Sequence, residues 1–141
     1  MPNFTFTGPY GDIECVVNNC MSNEIVLIMA HGFRGSRDGG GRSTAFAQMA
    51  AGVCKVVRFN FNGSQILSRQ VEELQAVISA VREQYNPEKL FLLGRSLGGA
   101  ASMITASRDE KIDGLILWAT PNDLRKTFLS ALGDELYKQL D

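Results

Sequence analysis

One serine in this sequence stands in a setting suited to nucleophilic chemistry. Ser96 lies in Gly94-Arg95-Ser96-Leu97-Gly98, directly after the apolar run Leu90-Phe91-Leu92-Leu93 and before Gly99-Ala100-Ala101. The run reads as a buried strand, and the small residues read as the start of a helix. Gly-x-Ser-x-Gly at such a junction holds its serine in a strained backbone conformation at the C-terminal edge of a sheet. Positions 94 and 98 carry no Cβ, so strand and helix can approach closely. The Ser96 hydroxyl then stands clear of the sheet, with the first helix amides directed at whatever it attacks. The competing reading is a Gly/Ser turn without chemistry. The readable strand and helix on either side count against it.

The elements around this stretch alternate. Phe4 and Phe6, then Ile13, Cys15 and Val17, alternate with polar residues about Gly8-Pro9-Tyr10-Gly11-Asp12. They predict an antiparallel hairpin with strands near 3–7 and 12–18. Ile25 to Ala30 is a continuous apolar run, as in a strand covered on both faces. Ser43 or Thr44 could cap a short helix through Ala51, with Phe46, Met49 and Ala50 inward and Gly52 as its stop. Val53 to Phe61 reads as the next strand. Ser68 could cap a long helix with Val71, Leu74, Val77, Ile78 and Val81 on one face and Arg69, Glu72, Glu73, Gln75 and Arg82 toward water. Asn86-Pro87 ends it. The helix after Ser96 runs to about Ser107, and Ile112 to Trp118 is another apolar strand. Thr120-Pro121-Asn122-Asp123 opens a last amphipathic helix carrying Leu124, Phe128, Leu132, Leu136 and Leu140. From residue 25 onward, strand and helix alternate, which implies a parallel sheet with right-handed crossovers. The fold class is α/β in three layers: a mostly parallel sheet of about six strands with an N-terminal antiparallel hairpin, in one domain over 1–141.

Composition narrows the function classes. Fourteen basic residues balance fifteen acidic ones, for a net charge of −1. That argues against a general nucleic-acid or anionic-membrane binder. No apolar run reaches the length of a membrane span, and the N-terminus shows no signal-like segment. A cytoplasmic location is the default expectation. Cys15, Cys20 and Cys54 are odd in number and suggest free thiols rather than a disulfide framework. With a single histidine, a zinc site of usual spacing is not formed, and no metal or cofactor is implied. The glycine-rich loop Gly35 to Ser43 places Gly41 where a phosphate-binding loop needs lysine.

Several segments together resemble the α/β-hydrolase family of carboxylesterases and lipases. The elbow at Ser96 is one. His31-Gly32-Phe33, directly after the Ile25–Ala30 run, is similar to that family's oxyanion loop. Val57-Arg58-Phe59-Asn60-Phe61-Asn62-Gly63 resembles an Arg-Phe-Asp-Phe-x-Gly segment of many such esterases, and Ile112 to Asp123 resembles the strand after the elbow helix. The resemblance implies Ser96 as nucleophile and the backbone N–H groups of Phe33 and Leu97 as the oxyanion hole. It further implies a serine hydrolase acting on a carboxylic ester through an acyl-serine intermediate, with a small ester or acyl compound as substrate. The alternative is a catalytically inactive binding or interaction module on the same fold.

The family's base is missing from the expected place. Its order is serine, acid, then histidine, and the only histidine here is His31, upstream of Ser96. His31 is read as a support of its loop rather than as the base. Asp123 is a candidate acid, but the reading adopted is a helix N-cap. Arg95 stands where many relatives carry histidine, either packed under the elbow or against a neighbouring loop. The segment that would carry acid and histidine has no counterpart, so the expectation is an α/β-hydrolase-like domain truncated at its C-terminus, with its base drawn from outside the chain. The strand at 112–118 is then left as an uncovered sheet edge, and this predicts a homo-oligomer.

Overall fold

The computed structural model describes residues 3–62, 65–120, 123 and 126. In chain order the elements are β1 (Phe4–Gly8), β2 (Gly11–Asn18), β3 (Ile25–Ala30), α1 (Arg42–Ala50), β4 (Lys55–Phe59), α2 (Leu67–Tyr85), β5 (Lys89–Arg95), α3 (Leu97–Arg108) and β6 (Gly114–Trp118). They build one sheet in the order β1-β2-β4-β3-β5-β6. β1 pairs antiparallel with β2, and β2 antiparallel with β4; β4, β3, β5 and β6 run parallel. This is the α/β class read from the alternation, with the hairpin at one side.

Alternation along the central strands sorts the core into two layers. Val26, Ile28 and Ala30 of β3 face α2 and α3, where Val71, Leu74, Val77, Ile78 and Val81 meet Val57, Phe59 and Leu92. Leu27 and Met29 face the other way, toward Ala47 of α1 with Val56 and Leu93. β3 throughout, and β5 from Leu90 to Leu93, are therefore apolar without alternation, because helices cover both faces.

Several boundaries differ from the expectation. α1 begins at Arg42 after Gly41 with φ +92°, not behind a serine or threonine cap. Phe46 and Ala50 pack against the core as expected, with Ser43 and Ala47 buried beside them, whereas Met49 is exposed. β4 is shorter, because Cys54 still bonds back to the Ala50 carbonyl at the end of α1. α2 begins one residue before Ser68, with Ile66 as a boundary residue that makes no side-chain cap. Asn86 closes α2 in the left-handed region at φ +46°. Glu73 is buried rather than facing water. Its carboxylate accepts the Asn62 N–H at 3.3 and 3.1 Å, which ties α2 to the loop after β4. The amphipathic helix expected after Thr120 lies outside the described residues, Asp123 and Lys126 excepted. Among the described residues, no helix is long and apolar enough to cross a membrane.

One buried cation fixes the loop between β3 and α1. Arg58 on β4 is 5% exposed. Its Nη1 donates to Asp38 Oδ1 at 2.9 Å, the Arg37 carbonyl at 3.1 Å and Thr44 Oγ1 at 3.2 Å. A buried guanidinium needs this many acceptors to offset its lost hydration. Replacing it with Met leaves three acceptors in and beside the loop, the Arg37 carbonyl, Asp38 Oδ1 and Thr44 Oγ1, without this donor. Arg58→Met is expected to lower unfolding free energy by roughly 2–4 kcal/mol, as read by chemical denaturation, with Arg58→Lys recovering part of the loss.

Candidate functional site

The site sits where β3 and β5 end side by side. Ser96 falls between β5 and α3 with φ +53° and ψ −121°. This is a sparsely populated conformation for a residue with a Cβ, and holding it costs about 1–3 kcal/mol. The surroundings enforce it. The Ser96 N–H donates to the Trp118 carbonyl at 3.0 Å, and the Ser96 carbonyl accepts the Gly99 N–H at 2.9 Å. A side chain at Gly98 would run into the carbonyl oxygens of Ala30 and His31. A Cβ on Gly32 would lie 2.9 Å from the Ser96 Cβ and 3.6 Å from its Oγ. The β3 loop therefore packs directly against the serine, and no larger residue fits at 32 or 98.

His31, Gly32, Phe33, Arg34, Gly35, Ser36, Gly39, Gly40, Ser43, Arg95 and Ser96 line one pocket of about 460 Å³. Four of the six residues singled out in the sequence come together here: His31, Phe33, Arg95 and Ser96 line it, and Leu97, itself buried, follows the serine. As the first residue of α3, Leu97 has an N–H with no carbonyl a turn earlier in the helix to accept it. Asp123 is not among the lining residues. Its Oδ1 accepts the Lys126 N–H at 3.1 Å, the contact a helix cap makes.

His31 is committed at both ring nitrogens. Nε2 lies 3.0 Å from the Phe61 N–H, which can only donate. Nδ1 lies 2.9 Å from the Gly32 carbonyl, which can only accept. The pair of contacts assigns the neutral tautomer protonated at Nδ1. Burial holds the imidazole below its ordinary pKa, against the opposing pull of the Gly32 carbonyl. The ring also meets Phe61 edge to face, with centroids 5.0 Å apart.

Arg95 resolves an alternative that the sequence left open, because it does both things. Its guanidinium stacks 4.9 Å above the Trp118 ring under the elbow. Its Nη1 also reaches the glycine loop, where a Cβ on Gly39 would lie 3.3 Å away. Two residues that hold the loops near the site were read otherwise in the sequence, Glu73 as facing water and Arg58 only as part of a segment resembling one in esterases. Glu73 had a signal: it stands four residues before Val77 on the inward stripe of α2. Arg58 gave none beyond a charge inside an apolar strand. Among the described residues, no group of three or more His, Cys, Asp or Glu is placed to hold a metal ion.

Comparison with known proteins agrees with this fold. A lid-less α/β serine hydrolase from Xanthomonas campestris superposes with a TM-score of 0.76 at 26% identity, over 86% of this chain and 62% of its own. An α/β serine hydrolase homologue from Coxiella burnetii gives 0.73 at 23% identity, over 96% of this chain and 67% of its own. An esterase from Pyrococcus furiosus gives 0.80 at 16% identity, over 99% and 61% respectively. This chain thus spans 61–67% of the length of these three solved structures. No curated protein matches it. Residues 62–139 match the family model described as serine aminopeptidase, S33. That match takes in more than half of the sequence, Ser96 included, and on it the chain belongs to this family of α/β hydrolases.

Proposed function

We propose that this domain serves a serine hydrolase that cleaves a carboxylic ester of a small molecule, with Ser96 as nucleophile. The observation that carries the reading is the strained Ser96 backbone at the β5–α3 junction, with Gly32 packed against it. In this reading Ser96 Oγ attacks the ester carbonyl and its proton passes to a base. The amides of Phe33 and Leu97 receive the negative charge that develops on the carbonyl oxygen. The C–O bond to the alcohol then breaks, the base returns the proton to the leaving oxygen, and water hydrolyses the acyl-serine. His31 does not fit the base: Nδ1 holds its proton toward Gly32, and Nε2 is taken by the Phe61 N–H. With one histidine in the sequence, the base comes from outside this chain. The cytoplasmic location expected from the sequence belongs to this proposal.

A second reading follows from that missing base: the same pocket binds without hydrolysing. A fluorophosphonate separates the two. Rapid single labelling read by intact mass, abolished in Ser96→Ala, is the outcome expected of an activated serine. A folded chain that is labelled only once a histidine-bearing C-terminal segment is supplied supports the hydrolase with an outside base; one that stays unlabelled even then supports the binding reading instead.

The committed state of His31 generates a pH dependence. Its folded pKa lies below the unfolded value of about 6.5. Above the unfolded value the ring is neutral in both states and its contribution is complete. As pH falls through 6.5 toward the folded value, the unfolded chain takes up the proton first and stability is lost. The thermal midpoint of the native chain is expected to drop more between pH 7.5 and 5.5 than that of His31→Gln. Equal drops would assign the loss to other groups.

Self-association belongs to the same proposal. β6 is the outermost strand among the described residues, and Leu115, Ile116 and Leu117 are 36, 47 and 45% exposed. Since consecutive residues point to opposite faces, both faces of this strand carry uncovered aliphatic surface. A second copy pairing along this edge removes it from water. Sedimentation at micromolar concentration is expected to show a dimer that a charged substitution, Ile116→Lys, returns to monomer; a native monomer would overturn the expectation.

A further inference from the structure

The opposite end of the sheet brings two thiols into register. β2 and β4 pair antiparallel with Val17 opposite Val57 and Asn18 opposite Val56. The ladder ends there, but just past it Lys55 Nζ is hydrogen-bonded to Asn19 Oδ1, so the two chains stay side by side. Counting on from the last pair brings Cys20 to the position across from Cys54. The faces agree as well. Positions two apart share a face, so Cys20 goes with Asn18, and Cys54 with Val56 and Arg58. Arg58 Nε reaches Asn18 Oδ1 at 3.4 Å, which puts both sets on the α1 side of the sheet. An antiparallel ladder offers Cα spacings of about 4.5 and 5.5 Å. Both lie within the range of about 4.4–6.8 Å that a disulfide spans.

The two sulfurs differ in access. Cys20 is half-exposed; Cys54 is buried and directs its thiol at the Ala50 carbonyl, 3.5 Å away. Burial raises the Cys54 thiol's pKa, and the neighbouring Cys20 raises it further, an independent sign that the pair is close. Cys15 provides a contrast within the same chain. It lies in the α2-side core opposite Phe59, and burial pushes its thiol up to about 12.

We propose that Cys20 and Cys54 form a reversible disulfide that ties the β2–β3 connection to the start of β4. The oxidant is a low-molecular-weight disulfide. Cys20, as thiolate, attacks one of its sulfurs, and the other leaves as a thiolate. Cys54 then gives up its proton and attacks the Cys20 sulfur of the mixed disulfide, which expels the second thiolate. Two protein thiols are oxidised while one small disulfide is reduced to two thiols. The closed loop, residues 20–54, contains β3, the His31–Ser36 segment and α1. Oxidation therefore restrains one wall of the Ser96 pocket without consuming any residue that lines it.

The test is oxidation of the reduced full chain with oxidised glutathione, followed by intact mass and peptide mapping without reductant. The expected product has lost two hydrogens, retains no glutathione, links Cys20 to Cys54 and leaves Cys15 free for alkylation after denaturation. Its thermal midpoint rises by roughly 5–10 °C, and dithiothreitol reverses the change. Cys54→Ser is expected to trap glutathione on Cys20, and Cys20→Ser to remain unmodified. A stable glutathione adduct on native Cys20, a bond that includes Cys15, or a cross-link only between chains would overturn the proposal.

Discussion

The structure depends on a backbone contact that no side chain can occupy. At the end of β5 the chain turns into α3 so tightly that Gly98 lies against the carbonyls of Ala30 and His31. Gly32, from the same neighbouring segment, lies against Ser96. Two adjacent parallel strands, β3 and β5, therefore end at one point, and α3 begins there. That convergence places a hydroxyl, the start of a helix and a loop around one pocket. Close packing of this kind transmits any added atom as strain, so the glycines specify the site as strictly as the serine does.

Polar groups buried nearby hold the loops that the glycines bring together. Arg58 gathers Asp38, the Arg37 carbonyl and Thr44; Glu73 receives the Asn62 N–H; His31 joins the Gly32 carbonyl to the Phe61 N–H. Each would be costly to bury alone, and each is tolerated because it is hydrogen-bonded to backbone groups or polar side chains of the loops and of the start of α1. The loop from 31 to 41 has little apolar surface with which to anchor itself. Its conformation therefore rests on these few hydrogen bonds. A histidine used this way must stay neutral, and that removes it from proton transfer.

How much the sequence disclosed depended on the kind of signal. Period and apolar runs identified the central strands and α2, because burial on one or both faces leaves a direct imprint on residue type. The elbow was legible because Gly-x-Ser-x-Gly sat between a strand and a helix. The cap of α1 was misplaced because a left-handed glycine, Gly41, opens that helix, and Thr44 bonds to Asp38 and Arg58 instead. Glu73 was assigned to water because charge is normally solvated; a backbone amide eleven residues earlier reversed that. Such pairings are long-range, and no local pattern encodes them. The same holds for Cys20 and Cys54, which are separated in sequence by β3 and α1.

The arrangement separates positioning from activation. What this chain supplies is position: strain at Ser96, an adjoining loop and a lined pocket are all built from residues 31–43 and 95–98. Activation of a serine also needs a group able to take its proton, and the single imidazole present is already a structural acceptor. These two tasks need not share a polypeptide, since an oxyanion site retains part of its effect on a reaction without the base. In the proposed enzyme, a base brought to this pocket from outside would find the rest of the machinery already held in place.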